Sequence, residues 1–166
     1  HAFGMHCIAV TRTMRPVPEP LEWLESVDGL DRFLSESDYV LMALPLSDDT
    51  HGLINATRLA GMKSDAVIVN VGRGLVIDEG ALYSALAERR IGGAIIDVWY
   101  DYPSDEVENP APSRYPFQEL DNIVMTPHCS SHSEAARVRR WDSVAANVDR
   151  LARGEPLRNV CFEGIG

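Results

Sequence analysis

Cysteine is scarce. Cys7, Cys129 and Cys161 are the three in 166 residues, odd in number and widely spaced. That excludes a disulfide framework and a C-x-x-C metal pair, and no metal site is expected. A reducing cytoplasm is the compartment this usage suggests. Long apolar runs are missing, so no membrane partner is expected. The opening H-A-F-G-M-H-C has no basic leader, and no secretory signal is expected. Positive charge is in deficit: 15 Lys and Arg face 25 Asp and Glu, leaving a net charge of -10 at pH 7. A phosphate backbone calls for a basic surface, so nucleic acid is not an expected partner. No G-x-G-x-x-G, internal repeat or low-complexity segment occurs.

What is present is ordinary for a globular fold: 45% apolar and 24% charged residues, in a chain long enough for one sizeable core. The rest of the sequence is organised around V-I-V-N-V-G-R-G-L-V-I-D at 67–78. Val67, Ile68 and Val69 form a β-branched run without alternation, which predicts a strand covered on both faces. Gly72 and Gly74 predict a tight turn that other residues would strain. Asp78 with Glu79 predicts a helix N-cap and an acidic first turn. Arg73 is thereby held at the C-terminal edge of a parallel sheet, where open α/β folds bind ligands. Its planar, permanent charge suits a carboxylate or phosphate. From this stretch alone, an exposed turn arginine paired with a nearby acid is an equal reading.

Further buried strands are predicted at 6–11, 39–44, 94–98 and 122–126. Residues 1–5 read as the last turn of a helix, with Gly4 as its stop signal. Pro16, Pro18 and Pro20 make an irregular excursion of the stretch from Arg12. Short helices are predicted over 21–27, over 30–34, and from an Asn55 cap to Met62. Longer ones are predicted over 78–90 and from a Ser133 cap to about Arg153. In the last, Val138, Trp141, Val144, Ala145, Val148 and Leu151 keep helical spacing. The Pro-, Asp- and Glu-rich stretch 99–116 reads as a surface loop. Short apolar strands alternating with helices specify an α/β fold with a doubly wound parallel sheet, Rossmann-like. A strand of the same sheet follows the loop at 99–116, so a single domain is expected.

Three chemically capable side chains fall at strand ends. Arg73 follows 67–69, Asp97 closes 94–98, and His128 sits in T-P-H after 122–126. An imidazole supplies general acid/base chemistry near neutral pH. An arginine binds a carboxylate through two bonds and polarises a neighbouring carbonyl. Singly, His128 reads as well as a loop histidine, and Asp97 as a satisfied strand-end carboxylate. Together they place a cation, an acid and an imidazole on one rim.

Four segments carry a family resemblance: N-V-G-R-G-L-V-I-D (70–78), G-A-I-I-D-V-W (93–99), P-F-Q-E-L-D-N-I-V-M-T-P-H (116–128) and P-L-S-D-D-T-H-G-L-I-N (45–55). In order and spacing they resemble the nucleotide-binding domain of the D-isomer-specific 2-hydroxyacid dehydrogenases, over nearly the whole chain. The resemblance implies that Arg73 holds the substrate carboxylate and carbonyl, and that His128 exchanges a proton with the carbonyl or hydroxyl oxygen during hydride transfer. It implies that Asp97 bonds the nicotinamide carboxamide, that Val71 and Ser130 line the nicotinamide, and that Pro45 and Thr50 line the adenosine side. It further implies that residues 1–166 are the C-terminal part of a dinucleotide-binding domain, ending in the long helix 133–153 and a short tail. The glycine fingerprint, the first strand, most of the first helix and the substrate domain would then lie outside this sequence. The pyrophosphate would lose the helix N-terminus that cradles it. The expectation is either a piece of a longer protein or a shortened product that binds nucleotide weakly.

Two positions depart from the family pattern. Where the family usually places a glutamate before a proline to orient the histidine, this chain has Tyr102 before Pro103. A phenol can hydrogen-bond an imidazole but is neutral at pH 7, and does not stabilise an imidazolium as a carboxylate does. Formate dehydrogenases of the family carry a neutral amide there, so the departure is compatible with catalysis; Asp101, Asp105 and Glu106 are substitute acids nearby. After the strand at 6–11, Thr11 and Arg12 stand where NAD-specific relatives usually have an acid. That exchange favours the 2′-phosphate of NADP over NAD, although Arg12 also reads as a solvated loop residue.

The candidate catalytic residues are therefore Arg73, His128 and Tyr102. The candidate cofactor-binding residues are Thr11, Arg12, Pro45, Thr50, Val71, Asp97 and Ser130. The expected function is NAD(P)-dependent interconversion of a small 2-hydroxy acid and its 2-oxo acid. The alternative is a non-catalytic nucleotide-binding or dimerisation module, like the family's transcriptional corepressors. A homodimer is expected, with the excursion at 12–20 and the helices after it as its interface.

Overall fold

Residues 2–160 are described by the structure, a computed structural model; Cys161 and the rest of the short tail lie outside the described residues. The chain divides into two units, one ending at His128 and one starting at Cys129.

The first unit holds two parallel sheets. β1 (Cys7–Val10) pairs with β2 (Leu21–Glu25). β3 (Tyr39–Met42), β4 (Val67–Asn70), β5 (Gly93–Ile96) and β6 (Ile123–Met125) form a four-stranded sheet in that order. The predicted helix at 21–27 is in fact β2. Its L-E-W-L-E carries Trp23, which suits a pleated surface, and pairing with β1 satisfies its backbone. Of the first five residues, His1 lies outside the described residues, Ala2 and Phe3 make a turn, and Gly4 follows at φ 70°.

α1 (Leu30–Glu36), α2 (Ala56–Ala60) and α3 (Glu79–Ala87) complete the unit. Asn55 and Asp78 cap α2 and α3, accepting the N–H groups of Arg58 (3.1 Å) and Ala81 (2.8 Å). Leu59 of α2 and Leu82, Ala85 and Leu86 of α3 pack with Val40, Met42, Ile68, Ala94 and Ile96 of the sheet. The other face carries the register row Leu41, Val69, Ile95 and Val124. On that face Leu41, Ile95 and Val124 are exposed and Val69 is half-buried. The unbroken apolar run of β4 thus meets a core on one side only among the described residues.

In the second unit, α4 (Glu134–Ala152) starts from a Ser133 cap that accepts the Ala136 N–H (3.1 Å). It ends at Gly154, at φ 68°. The segment after it folds back on the helix: Asn147 exchanges two 3.0 Å bonds with the backbone of Arg158.

For function, the decisive feature of the first unit is its register. Met42, Asn70, Ile96 and Met125 lie side by side, so β3 to β6 finish in one row. Whatever follows each strand shares one edge.

Candidate active site

β4 ends on Asn70, a polar side chain 1% exposed. Its Oδ1 accepts the Gly72 N–H (3.0 Å), and its Nδ2 donates to the Arg73 carbonyl (2.9 Å). One buried amide thus shapes the turn. The two glycines serve close approach and not left-handed backbone, correcting the expectation of strain: neither has a positive φ. A Cβ on Gly72 would lie 2.6 Å from the Leu44 carbonyl oxygen, and one on Gly74 2.2 Å from that of Trp99. Arg73 leaves this turn in extended conformation and exposed, with Nη1 donating to the Gly72 carbonyl (2.7 Å).

Asp97, one step past β5, is 2% exposed. Its N–H donates to the Asn70 carbonyl (3.0 Å), which places it beside the Arg73 turn. Its Oδ1 accepts a 2.5 Å bond from the Thr126 hydroxyl. The Thr126 N–H in turn donates to the Ile96 carbonyl (3.0 Å), extending the ladder past β6. His128 follows Pro127 with its backbone at φ 55°, a left-handed conformation in which histidine is enriched.

Tyr102 lies against His128 with ring centroids 5.6 Å apart and planes at 57°. Its hydroxyl oxygen accepts the Trp99 N–H (2.9 Å). The Trp99 indole N–H donates to the Thr126 carbonyl (2.9 Å). A cleft of about 370 Å³ opens here, lined by Trp99, Asp101, Tyr102, Met125, Thr126 and His128 among others. Of the three substitute acids, Asp101 lines it and Asp105 and Glu106 do not. The loop is pinched shut where Tyr100 and Asp101 both donate to the Pro112 carbonyl (3.2 Å each). Burial pushes the Tyr100 phenol well above its ordinary range, and the charges of Glu79 and Asp78 add to the effect.

The other candidates divide by place. Val71 stands on the rim, half-exposed at 36%, its N–H bonded to the Met42 carbonyl (3.1 Å). Pro45 and Thr50 meet directly: the Thr50 hydroxyl donates to the Pro45 carbonyl (2.7 Å). Thr11 and exposed Arg12 follow β1, on the two-stranded sheet, where the Thr11 N–H bonds the Glu25 carbonyl (3.0 Å). Ser130 belongs to the second unit, in the turn ahead of α4. Asn70, Trp99 and Thr126 are supporting residues that the sequence reading passed over. An asparagine closing an apolar strand was the one available signal, because a buried amide needs a stated partner.

Residues 1–130 match the sequence model of the D-isomer specific 2-hydroxyacid dehydrogenase, NAD binding domain. The chain belongs to this family. A glyoxylate reductase of Korarchaeum cryptofilum is 39% identical over 136 residues, 82% of this chain and 39% of that protein. Among solved structures, D-lactate dehydrogenase with NAD+ from Lactobacillus jensenii superimposes with a TM-score of 0.82 at 26% identity, covering 98% of this chain and 50% of that one. An NADPH-dependent glyoxylate/hydroxypyruvate reductase from Sinorhizobium meliloti, in complex with NADP and sulfate, gives 0.76 at 30% identity, covering 96% and 48%. The chain spans half or less of the length of these dehydrogenases. The match confirms the doubly wound α/β architecture and an NAD(P)-binding domain of an oxidoreductase family. No helix among the described residues is long and apolar enough to cross a membrane, and no cluster of metal-ligating side chains occurs among them.

Proposed function

We propose that this chain contributes the cofactor-binding half of an NAD(P)-dependent reductase for a small 2-oxo acid such as glyoxylate or hydroxypyruvate. The observation that carries the reading is the shared strand-end row, which supports Arg73, Asp97 and His128 working at one edge. The Arg73 guanidinium grips the substrate carboxylate and polarises the carbonyl. His128 gives a proton to the carbonyl oxygen in reduction and takes it from the hydroxyl in oxidation. Nicotinamide, when bound, supplies or accepts the hydride. The residues of the first unit fit that group: Asp97 offers a carboxylate to the carboxamide, Val71 lines the ring, and Pro45 and Thr50 flank the adenosine. Thr11 and Arg12 present a hydroxyl and a guanidinium to the ribose, a donor set suited to the 2′-phosphate of NADP.

The test is NADPH oxidation with glyoxylate or hydroxypyruvate, followed by absorbance. His128→Ala should lower kcat by about 10²–10⁴-fold, and Arg73→Lys should lower kcat/KM because a point charge replaces a two-pronged contact. Unchanged rates in both would overturn the assignment. A calorimetric titration should show tighter NADPH than NADH, with Arg12→Ala removing the difference. A second reading, nucleotide binding without turnover, is favoured by the uncharged Tyr102 beside His128. Tight NADPH binding with no oxidation of it would decide for that reading.

The scarcity of cysteine, three widely spaced in 166 residues, fits a reducing cytoplasm. In the excursion at 12–20, Met14 and Val17 are 55% and 50% exposed, which supports a homodimer contact there. Sedimentation should show a dimer that Met14→Glu with Val17→Glu dissociates; a monomer at micromolar concentration in the unaltered chain would remove this contact.

A further inference from the structure

His128 follows Thr126 by two residues. Thr126 is fixed at three points: its N–H on Ile96, its hydroxyl on Asp97, and its carbonyl under the Trp99 indole N–H. Pro127 then restricts the backbone before His128. Beyond it the imidazole is exposed, at the mouth of the cleft. The imidazole meets the Tyr102 ring. That ring is itself tied down, because the hydroxyl oxygen accepts the Trp99 backbone N–H (2.9 Å). Trp99, 6% exposed, therefore ties down both neighbours of the histidine, Thr126 through its indole and Tyr102 through its backbone.

We propose that Tyr102 is a positioning residue for His128, acting through its ring while its hydroxyl serves as the tether to Trp99. The proposal rests on the functional reading above for its kinetic consequence, and on geometry alone for its structural one. The hydroxyl already accepts the Trp99 N–H, and the ring centroid lies 5.6 Å from that of the imidazole. The ring thus supports the imidazole by contact, without carrying charge itself. Displacing a reacting group by about 1 Å costs roughly a hundredfold in rate, so loss of the ring should be read in kcat and hardly in KM.

The experiment compares Tyr102→Phe and Tyr102→Leu in the full chain. One measurement is the rate with NADPH and glyoxylate. The other is the position of the His128 ring-proton resonances, which a neighbouring aromatic ring displaces. Tyr102→Leu should lower kcat by about ten- to a hundredfold, leave KM nearly unchanged, and remove the ring-current displacement. Tyr102→Phe should keep most of the displacement and fall between the two in rate. A Tyr102→Phe protein as slow as Tyr102→Leu would overturn the proposal, since the hydroxyl would then be the acting group. So would a Tyr102→Leu protein with unmoved His128 resonances. Should the unaltered chain show no turnover, the functional reading falls, and the resonances alone decide whether the ring positions the imidazole.

Discussion

The Asn70 side chain makes two hydrogen bonds inside one turn, with the Gly72 N–H and the Arg73 carbonyl. Asn70→Ala leaves the buried Gly72 N–H unpaired, while the Arg73 carbonyl keeps the Val76 N–H (3.2 Å), so a loss of about 1–3 kcal/mol is expected. Urea unfolding measures it, and Arg73-dependent binding should weaken in step. Gly74→Ala is harsher, because the added Cβ meets a backbone oxygen at 2.2 Å and no side chain can rotate away. Overpacking costs about 1–3 kcal/mol where the neighbour yields; here the result should exceed that and show as a large fall in Tm. Tyr100 gives a pH signature. Its folded value is raised by burial first and by Glu79 and Asp78 second. An unfolded phenol ionises near pH 10. Above that pH the folded state holds a proton the unfolded state has lost, so stability falls as pH rises, with no effect below it. Urea midpoints should drop on the alkaline side, and Tyr100→Phe should flatten that drop. Equal alkaline slopes in both proteins would sink the argument.

Helix caps act at the scale of the element. Asp78 accepts the Ala81 N–H at the start of α3, and Ser133 does the same for Ala136 at the start of α4. Either one replaced by Ala should cost about 1 kcal/mol. The two substitutions should differ in consequence: α3 packs on the sheet face whose strands end at Arg73, so Asp78→Ala should also weaken NADPH binding. Its neighbour Glu79 accepts bonds from the Ser113 hydroxyl (2.6 Å) and Arg114 N–H (3.1 Å) and pairs with the Arg114 guanidinium (2.8 Å). The acidic first turn of α3 therefore also secures the far end of the 99–116 loop. That loop is exposed along most of its length, yet its ends are core, with Trp99 6% and Ser113 6% exposed. A composition rich in Pro, Asp and Glu showed the middle and hid the ends.

Over the whole molecule, the strand order explains why residues from distant parts of the sequence share one edge. Parallel strands, each running the same way, bring Val71, Asp97 and Thr126 to the same end without any of them being close in sequence. Thr11 and Arg12 follow β1 in a separate pair of strands, so the residues proposed for cofactor preference and for proton transfer stand on different sheets. Arg12→Ala should accordingly change the NADPH-to-NADH preference and leave kcat at saturating cofactor nearly unaltered; a large fall in kcat would contradict that separation.

The linear sequence was enough for the alternation of apolar strands and helices, the caps at Asn55, Asp78 and Ser133, and the family to which the chain belongs. These are set by local chemistry: an apolar run, a short polar side chain before a helix, a motif at fixed spacing. It was not enough for β2, whose five residues suit a short helix equally and became a strand because β1 lay beside them to pair with. Nor did it show why Gly72 and Gly74 must be glycine, since the reason is the backbone of Leu44 and Trp99, far off in sequence. The largest revision concerns Tyr102. Sequence placed a phenol near an imidazole, but only the fold showed the Trp99 N–H at its hydroxyl. A hydrogen-bonding group can be read from its residue type, whereas the partner it takes depends on what the tertiary structure brings within 3 Å.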